Sequence, residues 1–407
     1  MAHKGETWNE SETYRDPWTL RLVRRITTRG LYNQSPNYHT NIGFSADGEF
    51  LIFASAREDG SAIFKCHLPT GDITQLIDPV PGIGGYGEWQ KGGYGVGDGM
   101  GISGSMCMAP HSRWAVFKAG HVMRAVHIDT LEERVLIPDL GAEWVPGVPS
   151  IDPAETEVII SLMPAHPEVL AGKRPTRSYM ECFADGTGMR MKLIRVPLAG
   201  GPVTTVYEEA GIGGAHAPHS PTDGDLLLLD RDFPPRYWAG SDGATNRIWT
   251  LRLSTGQLTE LPPQDKARFQ VHSVWTWDGE AVIYHGRSGV PPTAGHVVSG
   301  HYIGVVDKSG QTVREYLFDK APHYGHVSAM AGRPAVILDG NLSNDLLLWV
   351  YYDQPQPRVE VICRHGTDWG AMPGQYPHPH PISDPTGRWI AYNAAARGRS
   401  DVFVVAV

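Results

Sequence analysis

Seven times along this chain a small or polar turn, often Asp-Gly, is followed by four or five apolar residues. The pattern reads FSADGEFLIFAS from Phe44, MAPHSRWAVFKA from Met108, IDPAETEVIISL from Ile151, HSPTDGDLLLLD from His219, WTWDGEAVIYHG from Trp275, AMAGRPAVILDG from Ala329 and ISDPTGRWIAYN from Ile382. Short apolar runs bounded by turn residues are strands, and a repeated strand pair marks a repeat architecture. Most copies are followed by a second hairpin, as in IFKCHLPTGDITQLI from Ile63, VMRAVHIDTLEERVLI from Val122 and RIWTLRLSTGQLTEL from Arg247. Two hairpins per unit make a four-stranded blade, and the starts are spaced 43 to 68 residues apart, near a propeller period with loop insertions. The expectation is an all-β, seven-bladed β-propeller of four-stranded blades, forming a single domain over residues 1–407.

The chain ends predict how the ring closes. The seventh unit stops after DVFVVAV (Asp401 to Val407) and lacks an outer strand, whereas TLRLVRRITT (Thr19 to Thr28) precedes the first unit with no partner of its own. Pairing the two removes a sheet edge. No window sustains a 3.6-residue apolar period, so a helical repeat does not compete.

Composition narrows the function classes. Charged residues are 19% and the net charge is −9 with no basic tract, which argues against nucleic acid as a partner. The N-terminus lacks the apolar core of a signal peptide, and no stretch approaches a membrane span, so a cytoplasmic location is expected. Cys66, Cys107, Cys182 and Cys363 form no CxxC pair and read as free thiols. There is no GxSxG element for a serine hydrolase. The Gly-rich stretch from Pro81 to Gly104 lacks the strand and helix of a phosphate loop. It reads as an inter-blade loop whose Tyr86, Trp89 and Tyr94 suit stacking on sugar faces.

The innermost strand of each blade starts beside the central channel, so residues just ahead of the repeated pattern meet at one mouth. Those positions hold His39, His216, His272 and His326 in the first, fourth, fifth and sixth blades, and Gln375, His378 and His380 in the seventh. In GQYPHPHPISDPTG the flanking prolines favour extended backbone, which sets both histidines of His-x-His on one face. Pro-His repeats also form rigid surface turns, but histidines at matching positions of other blades favour a metal site. Neutral imidazole suits manganese, iron, nickel, copper or zinc.

With these motifs the chain resembles the oligogalacturonate lyases, seven-bladed propellers that cleave short pectin fragments by β-elimination with a manganese ion. The most specific parts are RHGTDW, which begins at Arg364, and GQYPHPHP. The resemblance implies metal ligands at His272, Gln375, His378 and His380, and a substrate-site histidine at His216, in GGAHAPHSP. His39, His326 and Arg364 are expected around the substrate. The family's catalytic arginine falls in MRMKLIRVPL, where the matching position is Lys192, with Arg190 two residues earlier on the same face.

The resemblance therefore implies a divalent ion, manganese in particular, and an acidic oligosaccharide as substrate. Lys192, Arg190 and His216 stand as alternatives for the group that takes the proton. Two other functions remain open at this level: a metal propeller acting on a different glycoside or sugar acid, and a non-catalytic binding propeller. Nothing in the residues fixes the oligomeric state.

Overall fold

The computed structural model describes residues 3–36, 38, 42–57, 60–80, 106–173, 176–177, 179–183, 187–214, 216–231, 247–261, 268–288, 301–318, 325–340, 345–372 and 376–407. The Gly-rich stretch, with Tyr86, Trp89 and Tyr94, lies outside them, as do His39 and Gln375. The strands form seven antiparallel sheets, the blades of a β-propeller. The second, fifth and sixth blades have the expected four strands. The third has five, because Trp144–Pro146 and Ser150–Ile151 both pair with Glu157–Pro164. Among the described residues the fourth blade shows three strands, with an isolated bridge from His219 to Leu227 marking its inner edge.

Ring closure follows the expected pairing and goes further. Val23, Arg24 and Arg25 lie opposite Val405, Val404 and Phe403. Glu12–Arg15 then adds a fifth strand outside Leu22–Arg25, and Thr7–Asn9 caps the outer edge of the first blade. The N-terminal segment thus supplies strands to both the first and the last blade. Asp401 ties the joint together: it accepts hydrogen bonds from Arg25 at 2.6 Å, Arg399 at 2.5 Å, Thr27 at 3.1 Å and Asn33 at 3.2 Å.

The apolar runs explain the stacking. Successive side chains of a strand face opposite sides of its sheet, so a blade covered on both faces needs a continuous apolar run rather than an alternating one. In the LLLLD segment, Leu226 and Leu228 pack with Trp275, Val282 and Tyr284 of the fifth blade. Leu227 and Leu229 pack with Ile159, Met191 and Leu193 of the third. The sixth blade repeats this, with Val336 and Leu338 facing the fifth blade and Ala335 and Ile337 facing the seventh. Cutting one such leucine to alanine costs about 2–5 kcal/mol. The stacking fixes the height of each inner strand, which sets where the residues ahead of it meet.

The four cysteines are free, and three of them are buried; burial pushes the Cys66 thiol up to about 12. No helix of the described residues is long and apolar enough to cross a membrane.

Candidate metal centre

The mouth residues converge on the imidazoles of His326, His378 and His380. Ligand nitrogens of these three all lie within 4.8 Å of one another. His380 Nε2 is 3.1 Å from His326 Nε2, and the His378 and His380 rings are stacked with centroids 5.6 Å apart. His272 packs its ring 4.7 Å from that of His326, and its Nδ1 is 2.9 Å from Nε2 of His285. Tyr38 sits among them, stacked on His216 at 4.9 Å and 5.1 to 6.2 Å from the rings of His380, His326 and His272.

The seventh-blade loop is held through its carbonyls, because its prolines have no N–H to donate. Pro377 O accepts from Thr367 Oγ1 at 2.8 Å, Pro379 O from the Asn393 N–H at 2.8 Å, and Pro381 O from Ser328 Oγ at 2.6 Å. Trp369 sets its ring 5.0 Å from His378. The RHGTDW motif therefore braces the histidine loop through Thr367 and Trp369. The loop is not extended throughout, as the proline argument implied: His380 has φ +45°, in the left-handed region and directly before Pro381. Such a residue persists only where its surroundings over-determine it, at a cost of about 1–3 kcal/mol.

Three of the inner histidines, His216, His272 and His326, are backed by a residue in or just beyond the next strand outward of their own blade. His326 Nδ1 donates to Asp339 Oδ2 at 2.8 Å, while Asp339 Oδ1 accepts the backbone N–H groups of Gly325 and His326. His216 Nδ1 donates to Asp230 Oδ2 at 2.6 Å. In the fifth blade the same position is His285. Burial works against charge on Asp339, but its pairing with His326 outweighs that and holds the carboxyl below the usual carboxylate range. Asp230 is likewise held low, where burial is outweighed by Arg247, His216 and Ser273. For His378, burial and the neighbouring His326 push the pKa down to about 4, so this imidazole is neutral at pH 7 and able to ligate.

These features suit a divalent ion. A carboxylate behind Nδ1 leaves the His326 lone pair on Nε2, the usual second partner of a metal-bound histidine. His378 Nδ1 is buried with no hydrogen-bond partner among the described residues. The close pair of Nε2 atoms needs either a shared proton or a shared cation.

The other expected site residues are placed as follows. Lys192 and Arg190 lie on Arg190–Pro197, the third strand of the third blade counted from the channel, with their charges 5.4 Å and 5.2 Å from the Trp144 ring; Arg190 pairs with Glu208 at 3.0 Å. They share a face, as expected. Arg364 ends the outermost strand of the sixth blade and pairs with Asp345 at 2.5 Å. No contact is seen between these three cations and the histidine cluster among the described residues. Tyr38, Asp230, His285 and Asp339 were not singled out from the sequence. A signal for the last three exists: they follow His216, His272 and His326 by 14, 13 and 13 residues, the length of the inner hairpin.

No sequence-family model matches the chain, and no curated protein sequence does either. Solved structures do match it. A hydrazine synthase from Kuenenia stuttgartiensis aligns with a TM-score of 0.55 at 12% identity, over 91% of this chain and 96% of that one. An oligogalacturonate lyase from Vibrio parahaemolyticus aligns with a TM-score of 0.73 at 18% identity, over 99% of this chain and 98% of its own. An oligogalacturonate lyase in complex with manganese reaches 0.74 at 20% identity, over 100% and 98%. At these identities the likeness establishes the architecture: the chain is a seven-bladed β-propeller with two oligogalacturonate lyases as full-length structural neighbours.

Proposed function

We propose that this chain is a metal-dependent lyase that cleaves short uronides by β-elimination, with oligogalacturonates as the substrate class and manganese as the ion. The observation that carries the reading is the convergence of His326, His378 and His380 at the channel mouth, in a fold shared with a manganese-bound lyase. In our reading these three imidazoles hold the ion, and His272 and Gln375 are the remaining ligand candidates. His39 and Arg364 stay candidates for binding the substrate.

Elimination removes the proton at C5, beside the uronide carboxylate, and expels the oxygen at C4. The difficulty is the negative charge that builds on the carboxylate. A bound divalent ion supplies Lewis-acid stabilisation of that charge, worth several kcal/mol in metal enzymes generally. Imidazole ligands are neutral, so the ion's positive charge stays available to an anionic sugar in a protein of net charge −9. Asp339 orients His326, and Thr367 and Trp369 hold the loop that carries His378. Lys192, Arg190 and His216 are the candidates for removing the proton.

The test is to add oligogalacturonides and manganese to metal-depleted protein and follow the absorbance of a new 4,5-double bond. Growth of that band, abolished by chelation, supports the reading; its absence across a panel of uronides sinks it. Lys192, where the lyase motif carries arginine, favours one variant of this reading, in which a different uronide is preferred, and the same panel ranks the substrates. A binding propeller without catalysis predicts no product and no loss of function in His378→Ala.

A further inference from the structure

We infer that the far end of the central channel is a second binding site, for a small uncharged ring compound that carries one hydrogen-bond acceptor. This site stands apart from the lyase reading and does not depend on it. The inner strands run from the histidine mouth to their hairpin turns, and near those turns they surround a cavity of about 80 Å³. Its wall is drawn from five blades: Ile42, His219, Trp277, Ala329 and Ile382 belong to the first, fourth, fifth, sixth and seventh. Ala329 lies three residues beyond His326 and Thr276 four beyond His272, so at ~3.3 Å per residue the cavity begins roughly 10 Å from the imidazoles. One water needs about 10–15 Å³, and the cavity is several times that, which is room for a few waters or one small ring.

The wall sets the chemistry of the ligand. Val274, Trp275, Trp277, Pro218 and Pro221 make it largely apolar, and its polar side chains are nearly all committed to the protein. Trp275 Nε1 donates to Pro218 O at 3.2 Å, and Trp277 Nε1 to Ala329 O at 3.0 Å. Thr276 Oγ1 donates to Asp278 Oδ1 at 2.6 Å, and Ser328 Oγ to Pro381 O at 2.6 Å. The exception is His219, 6% exposed, whose Nε2 is buried with no partner among the described residues. Ser150 Oγ, 3.1 Å from its Nδ1, accepts the His219 backbone N–H at 2.9 Å, so the hydroxyl proton is free to point at Nδ1. The ring proton then resides on Nε2, which offers a donor. Burial lowers the pKa of this imidazole to about 4, so it is neutral at pH 7. A buried donor left unpaired is costly, and a ligand that pairs it recovers that cost. Apolar faces beside one neutral donor suit a phenol-like ring with its oxygen on His219. They disfavour a charged uronide, whose carboxylate would lose its water and gain no cation.

The experiment titrates the full chain with 4-fluorophenol, followed by 19F NMR, beside fluorobenzene and galacturonate. Saturable binding of 4-fluorophenol is expected, tighter than that of fluorobenzene by about 2–10-fold, the share of one hydrogen bond. His219→Leu, which keeps an apolar wall and removes the donor, should erase that difference. Val274→Phe, which fills the cavity, should abolish binding of both rings. Nuclear Overhauser effects from the bound ring to the Val274 methyls of the wild-type chain place the ligand without relying on either variant. Absence of saturable 4-fluorophenol binding, contacts elsewhere on the chain, or equal affinity of wild type for the two rings overturns the inference. So does displacement by galacturonate, which would make the cavity a sugar subsite.

Discussion

Replacing Asp339 by asparagine changes almost no volume, yet it should disable the metal centre. The two carboxylate oxygens have separate duties: Oδ1 accepts two backbone N–H groups, from Gly325 at 3.1 Å and His326 at 2.8 Å, and Oδ2 accepts His326 Nδ1 at 2.8 Å. The asparagine oxygen must stay with the two backbone donors, which places its NH₂ against Nδ1. His326 then has to turn Nδ1 into an acceptor, moving its proton to Nε2, the nitrogen that lies 3.1 Å from His380 Nε2. A protonated nitrogen cannot bind a cation. Loss of such a partner weakens metal binding about 10–100-fold, or about 1.4–2.8 kcal/mol. The losses should appear in calorimetric titration of manganese into metal-free protein, with circular dichroism confirming an intact fold. An Asp339→Asn protein that binds manganese as tightly as wild type would refute the assignment of Nε2 as the ligating atom.

Three further outcomes are expected. His219 is buried beside Ser150, and burial lowers its pKa from 6.5 to about 4. The unfolded chain therefore binds more protons between those values: the contribution is complete above about pH 6.5 and is lost as pH falls toward 4, by about 3 kcal/mol. Urea midpoints of His219→Gln should drop less than those of wild type between pH 7 and 4.5, and parallel curves would contradict this. Asp401→Ala leaves Arg25 and Arg399, each 28% exposed in its side chain, without their shared carboxylate, and should cost about 2–3 kcal/mol at the ring joint, read as a lower urea midpoint. His326→Ala should weaken manganese binding more than His272→Ala, since His326 lies inside the three-nitrogen group; the reverse order would restore the ligand set implied by the sequence motifs.

The blades were legible because each repeats one hairpin with apolar residues on both faces, as LLLL from Leu226 shows. Ring closure was legible for the same reason, as a strand-like segment at one end and a missing strand at the other. What the pattern hid was the extra pairing of Thr7–Asn9 and Glu12–Arg15, two short polar strands that gain their place from the edges they cover. At the mouth, the inner-strand rule brought out His216, His272, His326, His378 and His380, because a ring repeat places equivalent positions at one height. It did not bring out Asp230, His285 or Asp339, whose role depends on register across the hairpin. Nor did it bring out Tyr38, which reaches the cluster from a loop with no repeat equivalent. The left-handed φ of His380 was equally hidden, since prolines on both sides argue for extended backbone and only the fixed carbonyl partners of the loop override them.

One divalent cation at the channel mouth should be held by the imidazoles of His326, His378 and His380. Pulsed paramagnetic resonance of manganese-loaded protein, prepared with natural and with 15N-labelled histidine, tests it most directly. Nitrogen couplings from directly bound imidazoles should change with the isotope and vanish in His378→Ala/His380→Ala. A spectrum showing only water ligands, or nitrogen couplings indifferent to those substitutions, would contradict it.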